Sequence, residues 1–178
     1  MYVKTQRLEL KPITPAAMPA LMELLTDDVV KKTYMLPDFT TREDAWKLAD
    51  RILRMSEDPQ MYVAGVYREA ELIGLLNKTE VEGDCIELGY AILPRFHNRG
   101  YCTEALTGAI AELFAQGFRR VVAGAFEDNA ASIRVMVKSG MHRIDRVDSV
   151  DYRGKTHRCV YYQAEKNELS ERQTKNLP

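Results

Sequence analysis

Residues 92–105 (ILPRFHNRGYCTEA) combine a glycine, two arginines and the start of a helix in a pattern suited to binding an anion. A loop that enters a helix presents backbone N–H groups without intrahelical partners, and the helix dipole adds positive charge at the same end. Gly100 allows the backbone to approach an anion closely, and Arg95 and Arg99 add charge at the rim. The segment predicts a pyrophosphate-binding loop. A plain strand-to-helix turn with solvated arginines is the alternative, since Walker A and GxGxxG spacings are both absent.

The segments around this loop predict the elements that position it. Alternating or continuous apolar residues predict strands, and apolar residues at helical spacing predict helices. One helix is predicted to start at a capping box of Thr40 and Glu43. Another starts at the N-cap Asn129 and has Ile133, Met136 and Val137 on its inner face. The predicted strands are residues 7–11, 62–67, 72–76, 85–93, 121–126, 144–152 and 158–162. This order favours one α/β (α+β) domain over residues 1–166, with a mixed sheet and helices on both faces, followed by a polar tail at 167–178 that frays.

Composition excludes several classes of function. The chain has 178 residues, a formal net charge of -1 and 46% hydrophobic residues, which argues against a nucleic-acid-binding or membrane-binding protein. The three cysteines (Cys85, Cys102, Cys159) lack disulfide or CxxC spacing, and the N-terminus lacks the pattern of a signal peptide, so we expect a cytoplasmic protein. The histidines His97, His142 and His157 lack metal-ligand spacing, so we expect no metal.

Four segments, in this order, resemble the GNAT acetyltransferases and their branch of ribosomal-protein N-terminal acetyltransferases. Residues 5–11 (TQRLELK) look like the opening strand of that branch, and 86–94 (IELGYAILP) look like the strand before the coenzyme A loop. Residues 97–105 (HNRGYCTEA) are similar to the pyrophosphate loop, and 129–140 (NAASIRVMVKSG) to the second coenzyme A motif. The resemblance covers about residues 5–165, and the two motifs together are more specific than either alone.

The resemblance implies acetyl-CoA as the acyl donor and direct transfer of the acetyl group to a primary amine, on a protein N-terminus or a small molecule, in a ternary complex. It also implies a splayed pair of parallel strands, 85–93 and 121–126, with a backbone N–H near residues 91–93 facing the thioester carbonyl. The residues that would bind acetyl-CoA are Ile92, Leu93, Arg95, Asn98, Arg99, Gly100, Tyr101, Cys102, Thr103, Asn129, Ser132 and Arg134. The acceptor would contact loops near 29–40 and 142–155, and the sequence of these loops does not reveal its identity. Whether the protein forms a homodimer also stays open.

Two residues depart from the family pattern. Cys102 occupies a position usually held by a small residue, and a thiol at a helix N-terminus raises the alternative of a covalent acyl-cysteine. Met136 stands where many members carry a tyrosine that protonates the leaving thiolate, and methionine has no proton to donate. Branch members commonly carry a serine at the Ser132 position. Ser132 is therefore the candidate acid, with hydrogen bonding to the helix backbone as its alternative role.

Glu87 is the candidate base for the attacking amine. Period-2 alternation places it with Gly89, Ala91 and Leu93 on one face of a strand whose neighbours are apolar, where partial removal from water makes a carboxylate a better base. Pairing of Glu87 with a lysine or arginine, and a water relay or another carboxylate as base, remain open. Two other functions also remain open: a coenzyme-A-binding regulatory or sensor module with weak catalysis, and an unrelated nucleotide-phosphate binder.

Overall fold

Eight strands form one sheet in the computed structural model, which describes residues 1–166. In chain order they are β1 (Val3–Lys4), β2 (Glu9–Lys11), β3 (Val63–Arg68), β4 (Glu71–Glu82), β5 (Cys85–Ile92), β6 (Arg120–Phe126), β7 (His142–Tyr152) and β8 (Lys155–Glu165). Their order across the sheet is β1-β2-β3-β4-β5-β6-β8-β7, and only β5 and β6 are parallel. The predicted mixed, mostly antiparallel sheet is confirmed. The predicted tail lies outside the described residues.

Helices cover this sheet on both faces, as the sequence predicts. The continuous buried runs 63–67 in β3 and 72–76 in β4 require cover above and below, because neighbouring residues of a strand point to opposite faces. In chain order the α-helices are α1 (Met18–Thr26), α2 (Arg42–Glu57), α3 (Tyr101–Ala115) and α4 (Ala130–Lys138). The first two pack together against β3 and β4, and the last two pack together near β5 and β6. Within the described residues, no helix is long and apolar enough to cross a membrane.

The parallel strands β5 and β6 pair over a short stretch and then separate. Their register runs from Cys85 opposite Arg120 to Glu87 opposite Val122, whereas β5 continues to Ile92 and β6 to Phe126. On its other edge β5 stays paired with β4 as far as Ile92. The predicted splay is therefore present, and it opens a gap in the middle of the sheet.

Two local predictions about the helices are wrong. The capping box of α2 is formed by Thr41 and Asp44, one residue later than the predicted Thr40 and Glu43. The Thr41 hydroxyl accepts from the Asp44 amide at 3.2 Å, and an Asp44 carboxylate oxygen accepts from the Thr41 amide at 3.1 Å. Glu43 instead pairs with Lys47, one turn further along the helix. In α4, Met136 is buried as predicted, but Val137 is 54% exposed because the next residue of a helix is rotated by about 100°.

Candidate active site

A cavity of about 870 Å³ lies where β5 and β6 separate, and two groups of residues form its walls. The anion half is formed by the end of β5, the loop into α3, the end of β6 and one face of α4. The apolar half is formed by residues 29–37, one face of α2, and β3 and β4. Of the residues predicted to bind acetyl-CoA, those lining the cavity are Ile92, Asn98, Gly100, Tyr101, Cys102, Thr103, Asn129, Ser132 and Arg134.

The anion half contains a helix start without capping side chains. Gly100 is the N-cap of α3 and adopts φ +78°, a left-handed conformation that favours glycine. The first intrahelical bond runs from the Glu104 amide to the Gly100 carbonyl at 3.0 Å. The amides of Tyr101, Cys102 and Thr103 precede that bond and have no intrahelical partner. These three N–H groups, at the positive end of a helix dipole, form the arrangement that binds anions.

Arg7 fixes this loop from the other end of the chain. Its guanidinium donates to the Arg99 carbonyl at 3.1 Å and to Glu104 at 2.7 Å, and it lies 4.7 Å from the centre of the Tyr101 ring. The Arg7 amide and the Thr5 hydroxyl also donate to Glu104, at 2.7 and 2.6 Å. Burial by itself raises the pKa of Glu104, but these hydrogen bonds and the charge of Arg7 more than offset it and hold the pKa below its usual value. These contacts of Arg7 and Thr5 hold the loop against the N-terminal segment.

Three of the residues predicted to bind acetyl-CoA lie elsewhere. Arg95 does not line the cavity and forms ion pairs with Glu23 and Glu71. The guanidinium of Arg99 lies 5.9 Å from the centre of the Phe96 ring, outside the lining. Sequence position places both arginines near the loop, but it cannot reveal acidic partners on α1 and β4.

Leu93 is the third of these residues. It is fully buried, and its N–H donates to the Ile73 carbonyl at 2.8 Å. Because N–H direction alternates along a strand, the N–H of Ile92 points the opposite way, toward the gap. The Ile92 carbonyl accepts a hydrogen bond from His97 Nε2 at 2.8 Å. The backbone donor predicted near residues 91–93 is therefore best supplied by Ile92.

Two hydroxyl groups meet at the start of α4. Asn129 is the N-cap, as predicted, and its side chain accepts from the Ser132 amide at 3.1 Å. The Ser132 hydroxyl lies 2.8 Å from the Tyr90 hydroxyl, which comes from β5. Burial raises the pKa of the Tyr90 phenol, which therefore keeps its proton. Tyr90 was not among the predicted site residues, although a half-buried tyrosine among aliphatic residues generally has a hydrogen-bond partner.

Glu87 lies at the point where β5 and β6 part. One carboxylate oxygen accepts from the Thr79 hydroxyl at 3.0 Å, and the other pairs with Arg146 at 2.8 Å. The Glu87 side chain is 17% exposed and lines the cavity. Arg146 extends from β7 across the ring of Tyr161, 3.9 Å from its centre, and also pairs with Asp148. The pairing with an arginine, left open from the sequence, is therefore present.

A covalent acyl-cysteine route needs a Cys102 thiol with a lowered pKa, and the structure raises that pKa instead. The sequence interpretation allowed a lowered pKa at the helix N-terminus. In the structure, burial raises the pKa of the Cys102 thiol to about 12. A thiol held protonated is a poor nucleophile, so this geometry disfavours an acyl-cysteine.

The apolar half is closed by a loop that one tyrosine holds in place. The Tyr152 hydroxyl, at the end of β7, contacts the carbonyls of Lys31, Tyr34 and Leu36 at 2.7, 3.4 and 3.3 Å, and the Leu36 amide at 3.3 Å. Below the loop, the Tyr34 hydroxyl donates to the side-chain oxygen of Asn77 on β4. Residues 29–37 except Lys31 thus line the cavity, whereas residues 142–155 act from outside the lining. Contact of either segment with the acceptor stays a prediction.

Comparison with known proteins identifies a family that covers most of the chain. Residues 7–142 match the family described as the acetyltransferase (GNAT) domain. The uncharacterized N-acetyltransferase YoaA of Bacillus subtilis is 27% identical over 146 residues, which cover 79% of this chain and 82% of that protein. An acetyltransferase of the GNAT family from Bacillus anthracis superposes with a TM-score of 0.80 at 23% identity, covering 94% of this chain and 99% of that chain.

A second solved structure, the ribosomal L7/L12 alpha-N-protein acetyltransferase RimL in complex with coenzyme A, superposes with a TM-score of 0.79 at 19% identity. The match covers 93% of this chain and 98% of that chain. At these identities the superpositions show a shared fold. The family match, however, spans well over half of the chain. The protein therefore belongs to the acetyltransferase (GNAT) family and is an acyltransferase.

Proposed function

We propose that this protein transfers the acetyl group of acetyl-CoA to a primary amine by direct attack in a ternary complex. One observation carries the proposal: a single cavity joins the N–H groups at the start of α3 to the Glu87 carboxylate and continues into the apolar half. A donor and an acceptor can therefore lie side by side in one space. Such proximity alone supplies a large part of the rate enhancement of a two-substrate reaction.

The anion half fits the pyrophosphate of acetyl-CoA. The amides of Tyr101, Cys102 and Thr103 supply the donors, and Gly100 keeps the approach free of a side chain. Arg134 and Lys138, one turn apart on α4, line the same half and add positive charge for phosphate. The gap between β5 and β6 leads from these residues to Glu87 and accommodates the pantetheine arm.

Three groups of this chain serve the chemical step. The amine nitrogen attacks the thioester carbonyl, and its surplus proton passes to Glu87, directly or through water. The N–H of Ile92 donates to the carbonyl oxygen as negative charge develops on it. When the C–S bond breaks, the Ser132 hydroxyl donates its proton to the sulfur. Tyr90 stays protonated and donates a hydrogen bond to the serine oxygen, and the serine regains a proton from solvent. The acceptor is a protein N-terminus or a small-molecule amine.

A second candidate is a coenzyme-A-binding sensor with weak catalysis. Met136 replaces the tyrosine found in many relatives, and the Glu87 carboxylate is held by Arg146. Both observations are compatible with binding without turnover. The Ser132–Tyr90 pair favours the enzyme, because it restores a proton donor near the missing tyrosine.

Thiol release separates these two functions. The protein is incubated with acetyl-CoA and a panel of primary amines and short peptides, and free coenzyme A is measured together with the mass of each acceptor. We expect stoichiometric coenzyme A and a mass increase of one acetyl group on at least one acceptor. Binding of acetyl-CoA without release above the rate of spontaneous hydrolysis would favour the sensor.

A further inference from the structure

One face of α2 brings an arginine into the apolar half. Leu48, Arg51, Ile52 and Met55 follow one another at helical spacing and all line the cavity. Three of these side chains are apolar, so a ligand beside this face meets hydrocarbon together with one guanidinium. Arg51 is exposed to solvent, whereas the three apolar residues are half-buried, so the guanidinium can reach a ligand that packs on this face.

Within residues 1–166, Arg51 has no ion-pair or hydrogen-bond partner, whereas Lys47 and Arg54 on the same helix each have one. Lys47 pairs with Glu43 at 3.0 Å and Arg54 pairs with Asp50 at 2.9 Å, both one turn apart on the outer side of α2. The residues one turn from Arg51 are Lys47, Leu48, Arg54 and Met55, and none of them is acidic. Across residues 1–166, Arg51 forms no ion pair and no hydrogen bond. Arg42, at the start of the helix, also forms no ion pair with a described residue, but it does not line the cavity. Arg51 is the basic residue of α2 that does.

The charges around the apolar half are unbalanced in the same direction. Lys32 lies on the facing loop and lines the cavity, while Asp28 beside it is bound by Lys31 at 2.8 Å. Within the described part of the chain, Glu87 is the one acidic residue of the lining, and Arg146 holds it. An acceptor that carried only an ammonium group would therefore enter past two cations, Arg51 and Lys32, neither of which forms an ion pair within residues 1–166.

We propose that the acceptor carries a carboxylate in addition to its amine, joined by an apolar segment, and that Arg51 with Lys32 binds this carboxylate while the amine lies toward Glu87. The inference rests on the proposed acetyl transfer. A guanidinium binds a carboxylate through two parallel hydrogen bonds, which fixes orientation as well as charge. The apolar residues 48, 52 and 55 would contact the connecting segment. Arg51 thereby selects the acceptor, and takes no part in bond breaking.

Matched pairs of acceptors test this inference. One set pairs straight-chain alkylamines with ω-amino acids of equal chain length, from butyl to octyl. The other pairs short peptides that differ only in Glu or Gln near the N-terminal amine, which distinguishes a small amino acid from a peptide as the source of the carboxylate. Wild type, Arg51→Gln and the control Arg54→Gln are compared by kcat/KM for thiol release, and by calorimetric binding in the presence of coenzyme A.

We expect wild type to favour the acidic member of at least one pair by about tenfold or more, a preference that Arg51→Gln removes and Arg54→Gln retains. The inference is overturned if wild type treats both members of every pair alike, if neither member of any pair binds, or if Arg51→Gln keeps the preference. A preference in binding without thiol release would leave the carboxylate site standing and contradict the proposed acetyl transfer.

Discussion

At the scale of single residues, the Ser132 hydroxyl is committed to Tyr90 rather than to the helix backbone. The cap of α4 is supplied by Asn129, so removing the serine hydroxyl leaves the cap in place. We expect Ser132→Ala to lower kcat by roughly 10- to 100-fold, the usual scale of acid–base assistance, with acetyl-CoA affinity within a few-fold of wild type. Tyr90→Phe should lower the same parameter by a smaller factor. Steady-state kinetics and calorimetry measure both quantities.

Ser139→Ala is the control for that pair. Ser139 is buried at the other end of α4 and its hydroxyl donates to the Thr103 carbonyl at 3.4 Å, outside the cavity lining. Its loss should lower the melting temperature and leave kcat unchanged. If Ser132→Ala behaves in that same way, the serine is structural.

Glu87 yields a prediction about pH. As a base it helps most when the amine is largely protonated, so Glu87→Gln should reduce kcat/KM for the amine at neutral pH and matter less as the pH rises toward the pKa of the amine. The glutamine keeps a partner for Thr79, and acetyl-CoA binding should not change. The measurement is a pH–rate profile of wild type beside the variant. Parallel profiles would mean that Glu87 serves only to hold Arg146.

At the scale of elements, the loop into α3 depends on one glycine for its ligand. Gly100→Val introduces a β-branched residue at φ +78°, which costs stability and obstructs the anion. Gly83 has φ +58° in the turn between β4 and β5, with open space around it, so Gly83→Val reproduces the backbone strain away from the cavity. We expect comparable losses of stability in the two variants, and a loss of acetyl-CoA affinity of tenfold or more only in Gly100→Val. Equal affinities would exclude the loop as the phosphate site.

The attachment of residues 5–7 to α3 has a pH dependence whose sign follows from Glu104. Its pKa is lowered in the folded protein, so its contribution to stability is present above its usual value of 4.5 and is lost as the pH falls through the folded pKa. We expect Glu104→Gln to lower the free energy of unfolding by about 1–2 kcal/mol at neutral pH, and the difference from wild type to shrink in acid. Glu112→Gln, on the same helix, is the control. A difference that does not vary with pH would contradict this account.

Elements were predictable from the sequence where one pattern acts alone. The order of strands β2 to β8, the helices between them and the Asn129 cap follow from local periodicity and turn chemistry. The two-residue strand β1 is too short to show a pattern and was not predicted. The box at the start of α2 was misplaced because Thr40 and Thr41 each have an acidic residue three positions later, and the sequence does not show which pair closes. At the site, Glu87 was located by alternation along its strand. Its partner Arg146, 59 residues away, could not be predicted from the sequence, because that contact depends on how β7 packs.

At the scale of the whole molecule, ligand and fold should be linked. The anion half combines β5, α3, β6 and α4, so only the folded chain presents it. Acetyl-CoA at 100 times its Kd should stabilise the protein by about 2.7 kcal/mol, which corresponds to a rise in Tm of roughly 5–10 °C for a chain of this size. Differential scanning fluorimetry measures this. ATP lacks the pantetheine arm, so we expect it to give a smaller shift; an equal shift would favour a nucleotide-phosphate binder.

The tie between Tyr152 and the loop at residues 31–36 has a consequence for how this enzyme can diversify. The Tyr152 hydroxyl contacts backbone atoms of the loop, not its side chains. Residues such as Lys32 and Met35 can therefore be exchanged without loosening the loop, while Tyr152 cannot. Natural or directed evolution can change the side chains of this loop that face the acceptor, while the backbone of the loop keeps its position. A library restricted to these loop positions should yield changed acceptor preference with little loss of stability.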